Sequence, residues 1–370
     1  MKIAVVDPVN WDYTPLTPLE RPMGGSQSAI CYLTRELAAL GHETALVNNV
    51  GSPGVYAGVH CPGRAAAQTA EYLNRFDAVV AVNSAMGLSL RELGIRAPLV
   101  LWSQQAADQK DIQRLRDPNE RSAWDRFFLV SDWQARTYVS SFGIEPERVT
   151  ILRNAAAPIF LSLERRTPPF FRTGAPPVLI YTSTPFRGLL VLLLAFPTIR
   201  AAIPGCRLRV FSSMGVYQIP SEQDIHYRVL YALARSLPGL DYSGSISQSA
   251  LADAVAESDI LAYPNIFPET SCIAVMEAMA AGCLVATTTL GALPETAAGF
   301  GILMESRTDL VIMAQEYADL VIRTIQTVRE SPDKFEDHLS RQRAHARTAY
   351  SWSARAREWV AVVDGLARQR

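Results

Sequence analysis

The chain has 370 residues, 49% of them hydrophobic and 19% charged, with a formal net charge of −1. At roughly 100–200 residues per domain this suffices for two domains with ordinary cores, and the even balance excludes a global field that would draw nucleic acid or an anionic membrane. The cysteines, Cys31, Cys61, Cys206, Cys272 and Cys283, are scattered and odd in number with no C-x-x-C pair, which argues against a disulfide framework or a zinc site and for a reducing compartment.

The opening MKIAVVDPVN is unlike a signal peptide, because its apolar run is very short and soon meets a proline. No stretch reaches the ~18 apolar residues of a spanning helix, so the expectation is a cytoplasmic protein. KIAVVD (2–7) reads as a buried strand. The next segment places Ile30, Leu33, Leu37 and Leu40 at helical spacing and stops at Gly41. ETALVNN (43–49), FDAVVAVN (76–83), PLVLWSQ (98–104), FFLVS (127–131) and RVTILRN (148–154) continue the strand series, with helical patterns between most of them. Residues 155–177, rich in proline and without a period, read as an interdomain linker. The alternation restarts with VLIYTST (178–184), CRLRVFSS (206–213), DYSGSI (241–246), DILAYPN (259–265), CLVATTT (283–289) and GFGILM (299–304). Two long helical stretches close the chain, roughly 308–329 and 351–368, and the last puts Trp352, Trp359 and Val363 near one face. Alternating strand and helix specifies a parallel sheet covered on both faces. Two such sets in series give an α/β chain of two Rossmann-like, doubly wound domains, with ligand crevices at the strand ends facing a central cleft.

The segment PETSCIAVMEAMAAG, Pro268 to Gly282, lies between two strands. Thr270 or Ser271 can cap a helix there, leaving the N–H groups of Ser271, Cys272 and Ile273 as an anion site suited to a diphosphate. Glu269 precedes the helix and Glu277 follows eight positions on. Carboxylates beside an anion site make sense as acceptors for hydroxyls, so Glu269 is assigned to a sugar and Glu277 to a ribose. The alternative is a solvent-facing Glu before an amphipathic helix.

This segment resembles the signature of retaining GT-B glycosyltransferases of family 4: Glu, seven residues, Glu, then Ala-x-Ala-x-Gly. Gly24-Gly25-Ser26 before a helix ending in LGHE is similar to the family's glycine-rich first loop, and VSDWQ (130–134), Asn154 and the closing SW helix also match. The resemblance implies domains of 1–160 on the acceptor side and 161–350 on the nucleotide-sugar side, with 351–370 a helix crossing back to the first. It also implies that Gly24 and Gly25 approach the donor phosphates and that Gly244, Ser245 and Ile246 line the base.

Two positions depart from the family. Its Arg and Lys diphosphate clamps, five residues apart, fall on YTSTPFRG, where Arg187 keeps the second cation and Thr182 replaces the first, leaving Ser183 and Thr184 to donate hydroxyl hydrogens. The His often found after the fourth strand is Gln104 or Gln105 here. An amide still hydrogen-bonds a hydroxyl but does not titrate near neutral pH. Glu269, Arg187 and Gln104 are thus the candidate catalytic residues. No Asp-x-Asp or His cluster suggests a metal site, and no cofactor is expected beyond the nucleoside diphosphate sugar, UDP by default. The resulting expectation is a retaining, metal-independent hexosyltransferase acting on a hydroxyl of a glycan, lipid-linked or small-molecule acceptor. A peripheral contact with the inner face of a membrane stays open, as do a binding scaffold that has lost catalysis and a nucleotide-sugar epimerase or hydrolase. The loop Asn10 to Met23, with Trp11 and Tyr13, is a candidate acceptor wall.

Overall fold

In this computed structural model residues 1–165 and 167–368 are described. The chain divides into two units. The first comprises Met1–Pro18, Gly25–Ala155 and the chain from Trp352 onward, and the second Leu19–Gly24 and Ala156–Ser351.

The strands of the first unit are β1 (Lys2–Val6), β2 (Glu43–Val47), β3 (Gly54–Tyr56), β4 (Val59–Cys61), β5 (Ala78–Val82), β6 (Leu99–Ser103), β7 (Arg126–Leu129) and β8 (Val149–Ile151). They form one sheet in the order β3-β4-β2-β1-β5-β6-β7-β8. Neighbours pair in parallel except β3 with β4, an antiparallel hairpin. That hairpin was not expected, because strands of three residues are too short to show an alternating pattern. β5 and β6 are buried along their whole length, which explains why they read as unbroken apolar runs.

The last helix, Trp352–Arg368, belongs to this unit although it ends the chain. Trp359 meets Trp102 of β6 and Phe128 of β7 edge-on, each with ring centroids 4.9 Å apart. Trp352 stacks on Tyr32 at 6.5 Å. Trp352, Trp359 and Val363 are all buried, and burying an aromatic or large aliphatic side chain is worth about 1.5–3 kcal/mol. The expected apolar face is therefore what carries the helix back to the first sheet.

The second unit contains β9 (Val178–Tyr181), β10 (Arg207–Val210), β11 (Leu240–Tyr242), β12 (Ile260–Tyr263), β13 (Leu284–Thr288) and β14 (Ile302–Met304). Their order is β11-β10-β9-β12-β13-β14, with every pair parallel. Both units are Rossmann-like α/β sheets, and this second order is doubly wound. The chain builds outward from β9 in one direction, then returns to β12 and builds in the other. Ligand crevices form where that reversal occurs, outside the carboxyl ends of the two strands.

Two stretches hold order that the sequence does not show. In the stretch expected as a linker, Phe160 and Phe170 are buried. Asp259 collects the Arg165 guanidinium at 2.9 Å and the N–H groups of Phe170 at 3.2 Å and Val178 at 2.9 Å. Prolines hid this order because they break helical periodicity without preventing burial. The helix Pro332–Ala349 was also unforeseen. Its buried face is Leu339, Gln342 and Ala346, and Gln342 donates to the Cys283 carbonyl at 2.8 Å. A polar residue on the inner face erases the apolar stripe that periodicity detects.

Candidate functional site

The reversal between β9 and β12 brings two loops together. β9 ends in Tyr181, and the loop after it carries Ser183, Thr184 and Arg187. The Tyr181 hydroxyl donates to the Thr184 carbonyl at 2.8 Å, which folds this loop back over the strand end. Gly188 follows with φ +108°, and a Cβ there would lie 2.0 Å from the Pro264 carbonyl oxygen. Only glycine lets the two loops approach so closely.

β12 ends in Tyr263, and the loop after it carries Glu269. The backbone of Glu269 pairs with Gly291 in a parallel bridge, and its carbonyl accepts from Ala292 at 2.7 Å. A Cβ on Gly291 would sit 2.3 Å from that carbonyl oxygen. Glu269 is consequently clamped on its backbone as well as through its side chain.

Arg187 and Glu269 form an ion pair through Nη1 and Oε1, with only 6% of the Glu269 side chain and 22% of the Arg187 side chain exposed. The Tyr263 hydroxyl donates to the same Oε1 at 2.5 Å. The guanidinium also lies over the ring of Phe267 at 4.6 Å and of Phe186 at 5.4 Å, an arrangement that favours Arg over Lys. Burial works against the Arg187 charge, but Glu269 and the phenols of Tyr263 and Tyr217 outweigh it and raise its pKa well above the usual value. Ser183 Oγ is 3.5 Å from the Tyr263 hydroxyl, and the buried Thr184 Oγ1 has no partner among the described residues.

The helix after Glu269 starts later than its sequence suggests. It spans Ile273–Ala281, its N-cap is Cys272, and no side chain hydrogen-bonds as a cap. The capping expected of Thr270 or Ser271 is therefore corrected. The bridge to Gly291 keeps residue 269 in a strand-like path, so the turn begins farther on. Of the three expected N–H groups only that of Ile273 belongs to the helix. Ser271 and Cys272 precede it and are buried. Burial and Glu269 push the Cys272 thiol up in pKa.

Glu277 lies in the same helix, 6% exposed. Gln248 donates to its Oε1 at 3.2 Å. Burial pushes its carboxyl up to about 8, opposed by the Ala157 N–H. Nearby strand ends place the other expected residues. Ser245 Oγ is 2.6 Å from Ser213 Oγ, Gly244 has φ +67°, and Ile246 is half-buried.

Gly24 also belongs to the second unit, where its N–H donates to the Val216 carbonyl at 2.8 Å and a Cβ on it would meet the Tyr217 ring at 3.0 Å. Its N–H is thus committed to a backbone carbonyl. Gly25 opens the helix Gly25–Ala39 of the first unit.

In the first unit Gln104 follows β6. Its N–H donates to Asn83 Oδ1 at 2.7 Å, and its Oε1 accepts from Asn154 Nδ2 at 3.0 Å. Tyr13 does not form an exposed wall, because it is 1% exposed and donates to Asp7 Oδ2 at 2.6 Å. Gln27 donates to the same oxygen at 3.2 Å, and burial pushes the Asp7 carboxyl up. The loop is tied down by a carboxylate that only the fold brings beneath it.

Sequence reasoning missed Tyr263, Phe267 and Gln248. Tyr263 ends the strand beside the reversal, and that position was its one available signal. Among the described residues no group of three or more His, Cys, Asp and Glu is placed to hold a metal ion, and no helix is long and apolar enough to cross a membrane.

Residues 176–327, the core of the second unit, match the protein family described as "Glycosyl transferases group 1". This stretch is a glycosyltransferase group 1 domain. The enzyme class is glycosyltransferase, and the fold is that of GT-B enzymes. A glycosyltransferase from Rickettsia africae is similar over 100% of both chains, with a TM-score of 0.74 and 13% identity. HepE from Anabaena, solved with UDP and glucose, has a TM-score of 0.70 and 15% identity, covering 98% of this chain and 99% of its own. The catalytic domain of starch synthase IV from Arabidopsis thaliana, bound to ADP and acarbose, has a TM-score of 0.68 and 11% identity over 99% of both chains. Curated proteins offer no match.

Proposed function

We propose that the glycosyltransferase moves a hexose from a UDP-sugar to a hydroxyl of a glycan, lipid-linked or small-molecule acceptor, as a retaining, metal-independent family 4 enzyme of the cytoplasm. The Arg187–Glu269 pair at the reversal between β9 and β12 carries this reading, with Glu277 about one turn along the adjoining helix. A cation and two carboxyl groups suit a ligand that is anionic at one end and rich in hydroxyls at the other. HepE was solved with UDP and glucose, which supports UDP; the ADP on starch synthase IV makes ADP the runner-up.

In this reading Arg187 and the N–H groups at the start of helix Ile273–Ala281 take the diphosphate, helped by Ser183 and Thr184. Glu269 accepts from hydroxyls of the sugar, and Glu277 from the ribose. Ser245 and Ile246 flank the base. The bond between the anomeric carbon and the diphosphate oxygen breaks as the acceptor oxygen attacks from the same face. The acceptor proton passes to the leaving phosphate oxygen, and the growing negative charge is met by fixed donors.

The test is thermal unfolding with UDP, GDP and ADP, on the natural protein and on Glu277→Ala. A ligand at one hundred times its Kd adds about 2.7 kcal/mol. Stabilisation by one diphosphate that disappears in Glu277→Ala supports the assignment. A flat response to all three removes it.

A further inference from the structure

We infer that Tyr263 is a positioning residue for the donor sugar, holding Glu269 so that only its Oε2 is presented to a sugar hydroxyl. This rests on the donor reading above.

Two donors converge on one carboxylate oxygen. The Tyr263 O–H reaches Glu269 Oε1 at 2.5 Å, and Arg187 Nη1 reaches the same atom. A carboxylate oxygen has two lone-pair sites, so both sites of Oε1 are used. Among the described residues no donor is bonded to Oε2. Rotation of the carboxylate would break both bonds at once, and the backbone bridge to Gly291 prevents the loop from following.

Tyr263 is itself fixed. It is 1% exposed, its ring lies 5.8 Å from that of Tyr181, and its oxygen is 3.5 Å from Ser183 Oγ. Burial, with Glu269 alongside, raises the phenol well above its ordinary pKa, so it stays a donor at every working pH. Arg187 is the group assigned to the diphosphate, so a ligand that draws on its guanidinium loosens one of the two bonds. Tyr263 then remains the one contact that serves Glu269 alone. The consequence for substrate is specific. The sugar must offer a donor hydroxyl to one fixed oxygen, and a donor deoxygenated there loses the contact.

The experiment compares binding of UDP and UDP-glucose, with ADP and ADP-glucose in parallel, to the natural protein, Tyr263→Phe, Glu269→Ala and the double variant by calorimetry. Phe retains the ring and its packing, and diphosphate binding reports that the site is folded. Tyr263→Phe should weaken the nucleotide-sugar about tenfold, the usual effect of losing a hydrogen bond to a charged group, while the free diphosphate changes less than about twofold. In the Glu269→Ala background the same change should have no further effect. Equal weakening of both ligands, or a full additional loss in the double variant, overturns the role of Tyr263. If none of these ligands binds the natural protein, the donor reading falls and this inference falls with it.

Discussion

Replacing Glu277 by Gln should make the second unit less sensitive to alkali. Glu277 has an ordinary pKa of 4.5 when unfolded and about 8 when folded, because burial penalises its charge. Between those values the folded state keeps a proton that the unfolded state has released. The stability this proton confers is whole below the unfolded value and is lost as pH rises to the folded one. Each pH unit inside the window costs about 1.36 kcal/mol. From about pH 5 to about pH 8 the natural protein should therefore lose roughly 3–4 kcal/mol relative to Glu277→Gln, which has no proton to release. The Gln248 amide that donates to Oε1 at 3.2 Å can donate equally to the Gln oxygen, so the variant should fold. The assay is urea unfolding followed by circular dichroism at several pH values, read as the difference between the two proteins. Parallel pH profiles would refute burial as the state of this carboxyl. A ribose hydroxyl donating to Glu277 should favour its ionised form, so UDP should release a proton on binding to the natural protein and not to the variant.

Arg187→Ala leaves the Glu269 carboxylate, 5% exposed, without its cation. Stranding a buried charge costs about 3–5 kcal/mol, and a melting temperature equal to that of the natural protein would show that the pair is not formed. Arg187→Lys retains the charge but loses the flat stack on Phe267, so both melting temperature and diphosphate affinity should fall between the two. Gly291→Ala drives a methyl into the Glu269 backbone at 2.3 Å. Gly299→Ala meets nothing within 4 Å at a similar φ of +81°, and should cost only the about 1–2 kcal/mol of a left-handed residue. Nucleotide-sugar binding should collapse in the first variant and persist in the second. Equal effects would mean that the bridge does not set Glu269.

Most of the strands were legible because their signals are local. AVVAV (78–82) and ILAY (260–263) are buried on both faces and apolar throughout, and nearby residues suffice to mark them as strands. The hairpin at 54–61 and the helix Pro332–Ala349 escaped for matching reasons, one too short for its period and the other with Gln342 facing inward. At the site, Glu269 and Glu277 stood out by residue type and spacing, and Arg187 by the family resemblance. The Thr270 or Ser271 cap did not hold, because the partner that displaces the helix start, Gly291, lies beyond any local window.

By itself the sequence determined the two alternating α/β sets, the Glu-bearing helix and the cation on the loop after β9. Each follows from hydrophobic period or residue chemistry within a few turns of chain. Only the tertiary structure decided that Arg187 pairs with Glu269 across 82 positions, with Tyr263 on the same oxygen, that Tyr13 turns inward to Asp7, and that burial raises the Glu277 carboxyl. Contacts between distant loops depend on how strands are ordered in the sheet, and a carboxyl's pKa depends on how much water and charge surround it. Neither quantity exists until the chain has closed on itself.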